Sequence, residues 1–356
     1  MSKTDSYDGK PRSLLSVLIH AYHPRTWRER GILYAAGVLL ATYVIIVGVL
    51  WLIWDSKPSL FEPREIALAM AGGDEKKLVA GYVTTATVIQ VADTLLEKPG
   101  GYLSNDRMPP GVFMDNVPNW EFGVLTAIRD ISRSLRNDFS RAQTQSREDV
   151  DLQVAEPKFN FDNNSWLLPP SESEYRDGIR ALRRYLDRLA DERRDDGQFF
   201  TRADNLRDYF SVVEKRLGSL SQRLSASVGH IRVNTNLAGD PNARQSTPTP
   251  QEQLIKTSWL EIDDHFYEAR GYCWAMIEFL RAIEIDFKDV LANKNAQVSL
   301  RQIIHELEAT QEPVWSPVIL NGSGFALFAN HSLVMASYIA RANAALIDLR
   351  NLLQQG

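Results

Sequence analysis

The sequence predicts an all-α protein: one N-terminal transmembrane helix followed by an extracytoplasmic helical-bundle domain. Three observations carry this expectation. They are an apolar run at Gly31–Trp54, helical spacing of apolar residues through nearly all of the chain beyond it, and a scarcity of alternating strand patterns. The run reads GILYAAGVLLATYVIIVGVLWLIW, 24 residues without a charged residue, His, Pro, Asn or Gln. At about 1.5 Å per residue such a helix spans roughly 36 Å, enough to cross a hydrocarbon core of about 30 Å. It is too long for the apolar core of a cleaved signal peptide, and it runs into Trp51, Trp54, Asp55 and Lys57 with no small-x-small cleavage site.

The flanks predict the orientation. Arg12, Arg25, Arg28 and Arg30 precede the run, whereas Lys57 and Arg64 follow it among Asp55, Glu62, Glu65 and Asp74. The positive-inside bias then places the N-terminus in the cytoplasm, with Trp27 on one flank and Trp51 and Trp54 on the other at the two interfaces. Residues 1–30 carry a net +3, so the chain's total of −5 leaves −8 on residues 55–356. An acidic body of this kind argues against nucleic acid or an anionic lipid surface as its main partner. Arg12–Tyr22 has the pattern either of a short helix lying on the inner leaflet or of a flexible tail. Cys273 is the only cysteine, which excludes an internal disulfide and cysteine-based metal sites; set among Tyr272, Trp274 and Met276, it reads as a core residue.

Beyond the span, Lys76–Glu97 has helical spacing and stops at Lys98-Pro99-Gly100-Gly101. Asn119 is a candidate N-cap for a helix running from Trp120 to about Thr144. Ser171-Glu172-Ser173-Glu174 is a capping box opening a helix to about Arg194. From about Thr201 a helix places Leu206, Phe210, Val213, Leu217, Leu220 and Leu224 at alternating spacings of four and three, a packing seam for a bundle or for a homo-oligomer. Gly239–Gln253 is rich in Pro and nearly free of apolar residues, and reads as a linker or exposed loop. A long helix from about Leu254 to Leu291 follows, with Trp259 among its inward residues, and two shorter ones near Val298–Thr310 and Leu333–Leu353. Pro317–Leu320 and Phe325–Phe328 flank Asn321–Gly324 as a structured loop or small hairpin. The expected divisions are a basic tail (1–30), the span (31–54), a helical lobe (55–238), a linker (239–253) and a second lobe (254–356), with one lobe or two left open.

The loop Gly100–Gly123 (GGYLSNDRMPPGVFMDNVPNWEFG) interleaves Gly and Pro with Tyr102, Phe113 and Trp120. A loop of this length in a helical domain is ordered by its own side chains, and such loops often carry function. Tyr102, Asn105, Asp106, Arg107, Asp115 and Trp120 are its candidate contacts to a ligand or partner. Together with Arg25-Thr26-Trp27-Arg28, this stretch resembles the bacterial family called domain of unknown function 2333, and the resemblance covers the whole chain. It implies an inner-membrane protein of Gram-negative bacteria facing the periplasm, and it brings no known activity.

Chemistry is sparse. Glu261, His265 and Glu268 fall at i, i+4 and i+7 on one helix face, the spacing with which a helical bundle can hold a metal, and His305-Glu306 could add ligands. Neither histidine belongs to a Glu-x-x-His or His-Glu-x-x-His pattern. Phosphate loops, dinucleotide fingerprints and nucleophile elbows are missing, so no cofactor is expected. The charge-dense helix Arg176–Asp196 alternates sign and reads as a solvated face. The leading expectation is a non-enzymatic envelope scaffold or interaction module with a protein partner. A small-molecule-binding bundle, with a pocket by Tyr102 and Trp120, and a metal-dependent hydrolase are the alternatives.

Overall fold

The structure, a computed structural model, describes residues 21–142, 147–191, 196–233, 252–316, 318–322 and 328–355. Most of Arg12–Tyr22 and of Gly239–Gln253 lies outside the described residues, as do Pro317 and residues 323–327 of the expected hairpin. The chain divides into two units, Met1–Trp54 and Asp55–Gly356.

In the first unit, α1 (Pro24–Arg30) begins with Pro and is capped by His23, whose Nδ1 accepts the Arg25 N–H at 3.2 Å. Gly31, at φ +84°, separates it from α2 (Ile32–Trp54). None of the side chains of α2 is buried. A helix that is apolar on every face and finds no protein cover is long and apolar enough to cross a membrane.

The second unit is built around a helix whose middle turns are buried on every side. Its elements are α3 (Pro63–Met70), α4 (Tyr82–Glu97), α5 (Asn116–Ser134), α6 (Leu152–Phe159), α7 (Ser171–Leu189), α8 (Ala203–Ser225), α9 (Ile262–Asp286), α10 (Lys288–Asn293), α11 (Gln297–Glu308) and α12 (His331–Gln354). Strands β1 (His230–Val233) and β2 (Glu252–Ile255) form a short antiparallel pair with Ile231 opposite Leu254. The middle of α9, Gly271–Ile277, is uncharged and every residue of it is buried, so it needs partners on all sides. It packs on α4, α5, α8 and α11, while α8 packs on α12 and α6 on α7. Helices from both sides of residues 239–253 share this core, so residues 55–356 form one lobe.

Two glycines let α5 and α9 touch backbone to backbone. A Cβ on Gly271 would stand 2.0 Å from the Trp120 carbonyl oxygen, and one on Gly123 would stand 2.0 Å from that of Glu268. Two acids of α9, the buried Glu278 and the half-buried Asp286, anchor neighbouring elements. Glu278 accepts the Phe61 N–H at 2.9 Å, and burial pushes its carboxyl up to about 7. Asp286 accepts the Thr84 N–H at 2.7 Å at the start of α4; burial pushes it up to about 6, against the pull of its hydrogen bonds to Thr84, Gly81 and Val83.

The seam on α8 is buried along its length, from Leu206 to Leu224, against helices of the same chain. Cys273 is buried mid-helix, and burial pushes its thiol up to about 12. Local boundaries differ from expectation in several places. Asp115, not Asn119, caps α5, because its carboxylate takes the Asn116 N–H at 2.9 Å. The helix ends at Ser134 in a π turn over Leu135–Phe139. The capping box does not form: Ser171 Oγ turns back to the Asp162 and Ser165 carbonyls, and Glu174 pairs with Lys158 instead. Trp259 lies in a 3-10 turn ahead of α9 and is exposed rather than inward. The described part of the 317–328 segment shows a single bridge, Asn321 with Asn330.

Candidate functional site

The loop after α4 is organised from within. Glu121, on the first turns of α5, is fully buried, and its carboxylate is the loop's anchor. It pairs with Lys98, accepts the Leu103 and Ser104 N–H groups at 2.8 Å each, and accepts the Ser104 hydroxyl at 2.5 Å. Lys98 also donates to the Gly101 carbonyl. A buried charge pair is tolerable when its remaining hydrogen-bonding positions are filled in this way.

The six residues singled out in this loop are therefore largely engaged. Tyr102 is buried, donates to the Asn163 carbonyl at 3.0 Å and meets Tyr175 edge to face; burial holds its phenol well above the ordinary range. Asn105 donates to the Ser165 carbonyl at 2.7 Å and to Glu172 at 2.9 Å, tying the loop to residues 160–170. Asp106 sits where a Cβ on Gly111 would clash with it, and Asp115 caps α5. Arg107 is exposed. Trp120 is buried with its ring 5.3 Å from that of Trp274. Tyr102 and Trp120 are thus both buried within the body.

Glu261, His265 and Glu268 do not converge on one point. Glu268 is chelated by Arg223 of α8, with Nη1 and Nη2 at 2.5 and 2.7 Å from its two oxygens. Burial raises the Glu268 carboxyl, but His265 and Arg223 together bring it below its ordinary value. His265 Nδ1 lies 3.8 Å from Glu268 Oε2 and 3.4 Å from Arg223 Nη1. A guanidinium thus occupies the position a cation would take. Glu261 and His265 face a different cleft, lined also by Lys256 and Thr257. Among the described residues there is no cluster of three or more metal-ligating side chains.

The most developed site is one that the spacing of residues did not reveal. A cleft of about 650 Å³ opens between α5, α6, α8 and α9. Four arginines line it: Arg129 and Arg133 from α5, Arg216 and Arg223 from α8. Arg129 is fixed by the Phe159 and Phe161 carbonyls at 2.7 and 2.8 Å. Arg216 grips Asp130 through two hydrogen bonds of 2.9 and 3.1 Å, and Arg223 grips Glu268. Glu156, the third carboxylate of the wall, is held by Arg136. Arg133 is exposed and carries no ion pair among the described residues. The Tyr272 hydroxyl and Arg223 Nε are buried with no hydrogen-bond partner among the described residues. The walls therefore offer fixed positive charge and spare donors, while every carboxylate is already taken. That is the chemistry of an anion-binding surface. Sequence reasoning could have noted Arg129 and Arg133 one turn apart and Arg216 and Arg223 two turns apart, but only the packing of α5 against α8 and α9 brings the two pairs together.

No curated protein and no solved structure matches this chain. The model of a bacterial family described as an uncharacterized protein conserved in bacteria, DUF2333, matches residues 27–356, and the chain belongs to that family.

Proposed function

We propose that this is a single-span bacterial inner-membrane protein, N-terminus in the cytoplasm, whose helical body works in the periplasm as a non-enzymatic scaffold or interaction module. The apolar helix α2 and its arginine-rich leading flank support the address and the orientation. The observation that carries the functional reading is the arginine-lined cleft on a body of net charge −8. Three of its four arginines are held by hydrogen bonds, Arg133 is exposed, and its acids are neutralised in pairs, an arrangement suited to holding a carboxylate-bearing partner and without an evident nucleophile–base pair. An acidic segment of another envelope protein is the partner this favours. The cleft's volume also falls in the range of small-molecule sites, which keeps a small organic anion as the second reading.

Photo-crosslinking from position 133, in the protein's native membrane, tests the proposal. The expected result is a discrete adduct with one envelope protein, mapped to an acidic segment, competed by a synthetic peptide of that segment and lost in Arg216→Glu. A crosslinker at 133 that captures nothing, while one at a control surface position behaves identically, overturns it. Thermal stabilisation of the detergent-purified protein by small polycarboxylates or organic phosphates, without any adduct, would favour the second reading.

A further inference from the structure

The body's exposed tryptophans gather at one end, although exposed aliphatic side chains such as Val150 and Val298 also occur elsewhere. Of its five tryptophans, Trp120 and Trp274 are buried, whereas Trp166, Trp259 and Trp315 are more than half exposed, Trp315 at 92%. Hydrogen bonds place all three around the N-terminal end of α9. Trp259 and Leu260 stand in the turn directly before that helix. Asn119 Nδ2 donates to Asp264 at 2.6 Å, bringing the start of α5 and the loop that carries exposed Phe113 to the same end. Asn105 and Tyr102 tie that loop to the segment holding Trp166. Arg270 donates to the Gln311 carbonyl at 2.8 Å, and Trp315 lines a groove with Phe266. At the opposite end, beyond the C-terminus of α9, the rings of Phe139, Phe199 and Phe287 pack on one another instead.

The chain also begins its body at this apolar end. Ser56, Lys57 and Pro58 line a cleft with Glu97, Lys98 and Pro99, and the Lys57 ammonium lies 4.8 Å over the Tyr267 ring. Lys57 is three residues after Trp54, the last residue of the apolar helix, so at most about 11 Å of chain separates them. We propose that the α9 N-terminal end of the body rests on the bilayer, with Phe113, Trp166, Trp259, Leu260 and Trp315 seated in the lipid interface as a monotopic contact beside the span. The proposal rests on the reading of α2 as a membrane span. Aromatic rings prefer the headgroup level, and apolar side chains held on braced loops insert with little ordering cost. Acidic Asp106, Asp115, Glu261 and Asp263 at this end are interspersed with basic Lys57, Arg107 and Lys256, so apolar insertion rather than attraction to anionic lipid is the term that drives the proposed contact.

The test uses the full chain in phospholipid vesicles, with an environment-sensitive fluorophore attached at Phe113→Cys, Trp166→Cys or Leu260→Cys. Native Cys273 is buried, and Val298→Cys, exposed at the start of α11 near the far end of α9, is the control. Lipids brominated on their acyl chains are expected to quench the first three labels at least twofold and the control label not at all, at both low and high salt. Equal responses at all four positions overturn the proposal, as does protection of the three labels that disappears when the protein is diluted, which would indicate a second copy. Alkaline carbonate extraction separates the two ideas: release of the protein sinks the span reading. Vesicles added to the released protein then decide the end contact alone, by quenching at 113 or its absence.

Discussion

The loop between α4 and α5 and the cleft between α5, α6, α8 and α9 are both polar, both built in part on α5, and opposite in how they use their charges. In the loop, the Glu121 carboxylate faces inward and is saturated by Lys98, two backbone amides and a hydroxyl. In the cleft, guanidinium groups are fixed along an open wall, with Arg133 left over and the Tyr272 hydroxyl unmatched. A polar cluster whose partners are all internal stabilises a fold; one with surplus donors toward an opening can bind. The residue types alone do not distinguish the two cases.

Three changes would break or sharpen this contrast. Glu121→Gln keeps the shape but leaves the Lys98 ammonium buried without a counter-charge. It should cost about 3–5 kcal/mol of stability in denaturant unfolding of the detergent-purified chain, and it should leave any anion affinity of the surviving folded protein unchanged. A loss under about 1 kcal/mol would mean the loop is not held by this pair. Gly271→Ala strikes both regions, since the added Cβ meets the Trp120 backbone rather than a movable side chain. About 3 kcal/mol is expected, at the upper end for overpacking, with both loop order and cleft binding disturbed; hydrogen exchange confined to one of them would separate the regions.

The smallest effect concerns acid. The Glu268 carboxyl titrates below its unfolded value in the native state. Its contribution is therefore fully present above the ordinary glutamate range and is lost as pH falls through the lowered native value. Wild type and Glu268→Gln should accordingly converge in stability on acidification, read by unfolding midpoints from pH 6 down to pH 3. Curves that stay parallel would show that the Arg223–Glu268 pair contributes nothing to the cleft wall.

Much of the architecture is legible in the sequence. The membrane-length helix, the seam from Leu206 to Leu224, the buried setting of Cys273 and the helical character of the body all follow from composition and period, which are local properties. The turn chemistry was less legible. Ser171 had a capping partner in sequence but found the Asp162 and Ser165 carbonyls nearer, and Pro118 in the first turn of α5 moved the cap from Asn119 back to Asp115. The β1–β2 pair leaves no sustained alternating pattern in the sequence because each strand is only four residues long.

The candidate sites divide along the same line. Glu261, His265 and Glu268 share a helix face in sequence, yet Glu268 is claimed by Arg223, which lies 45 residues away along the chain. By itself the sequence determined where the chain is apolar enough for lipid, where it is helical, and that residues 55–356 are acidic, because these depend on side chains acting one turn at a time. Only the tertiary structure decided that the loop of Tyr102 and Trp120 is anchored on the buried Glu121, that four arginines from α5 and α8 face one cleft, and that the exposed tryptophans share one end. Those outcomes depend on which helices cross, and the close α5–α9 crossing at Gly123 and Gly271 joins residues that sequence distance keeps apart.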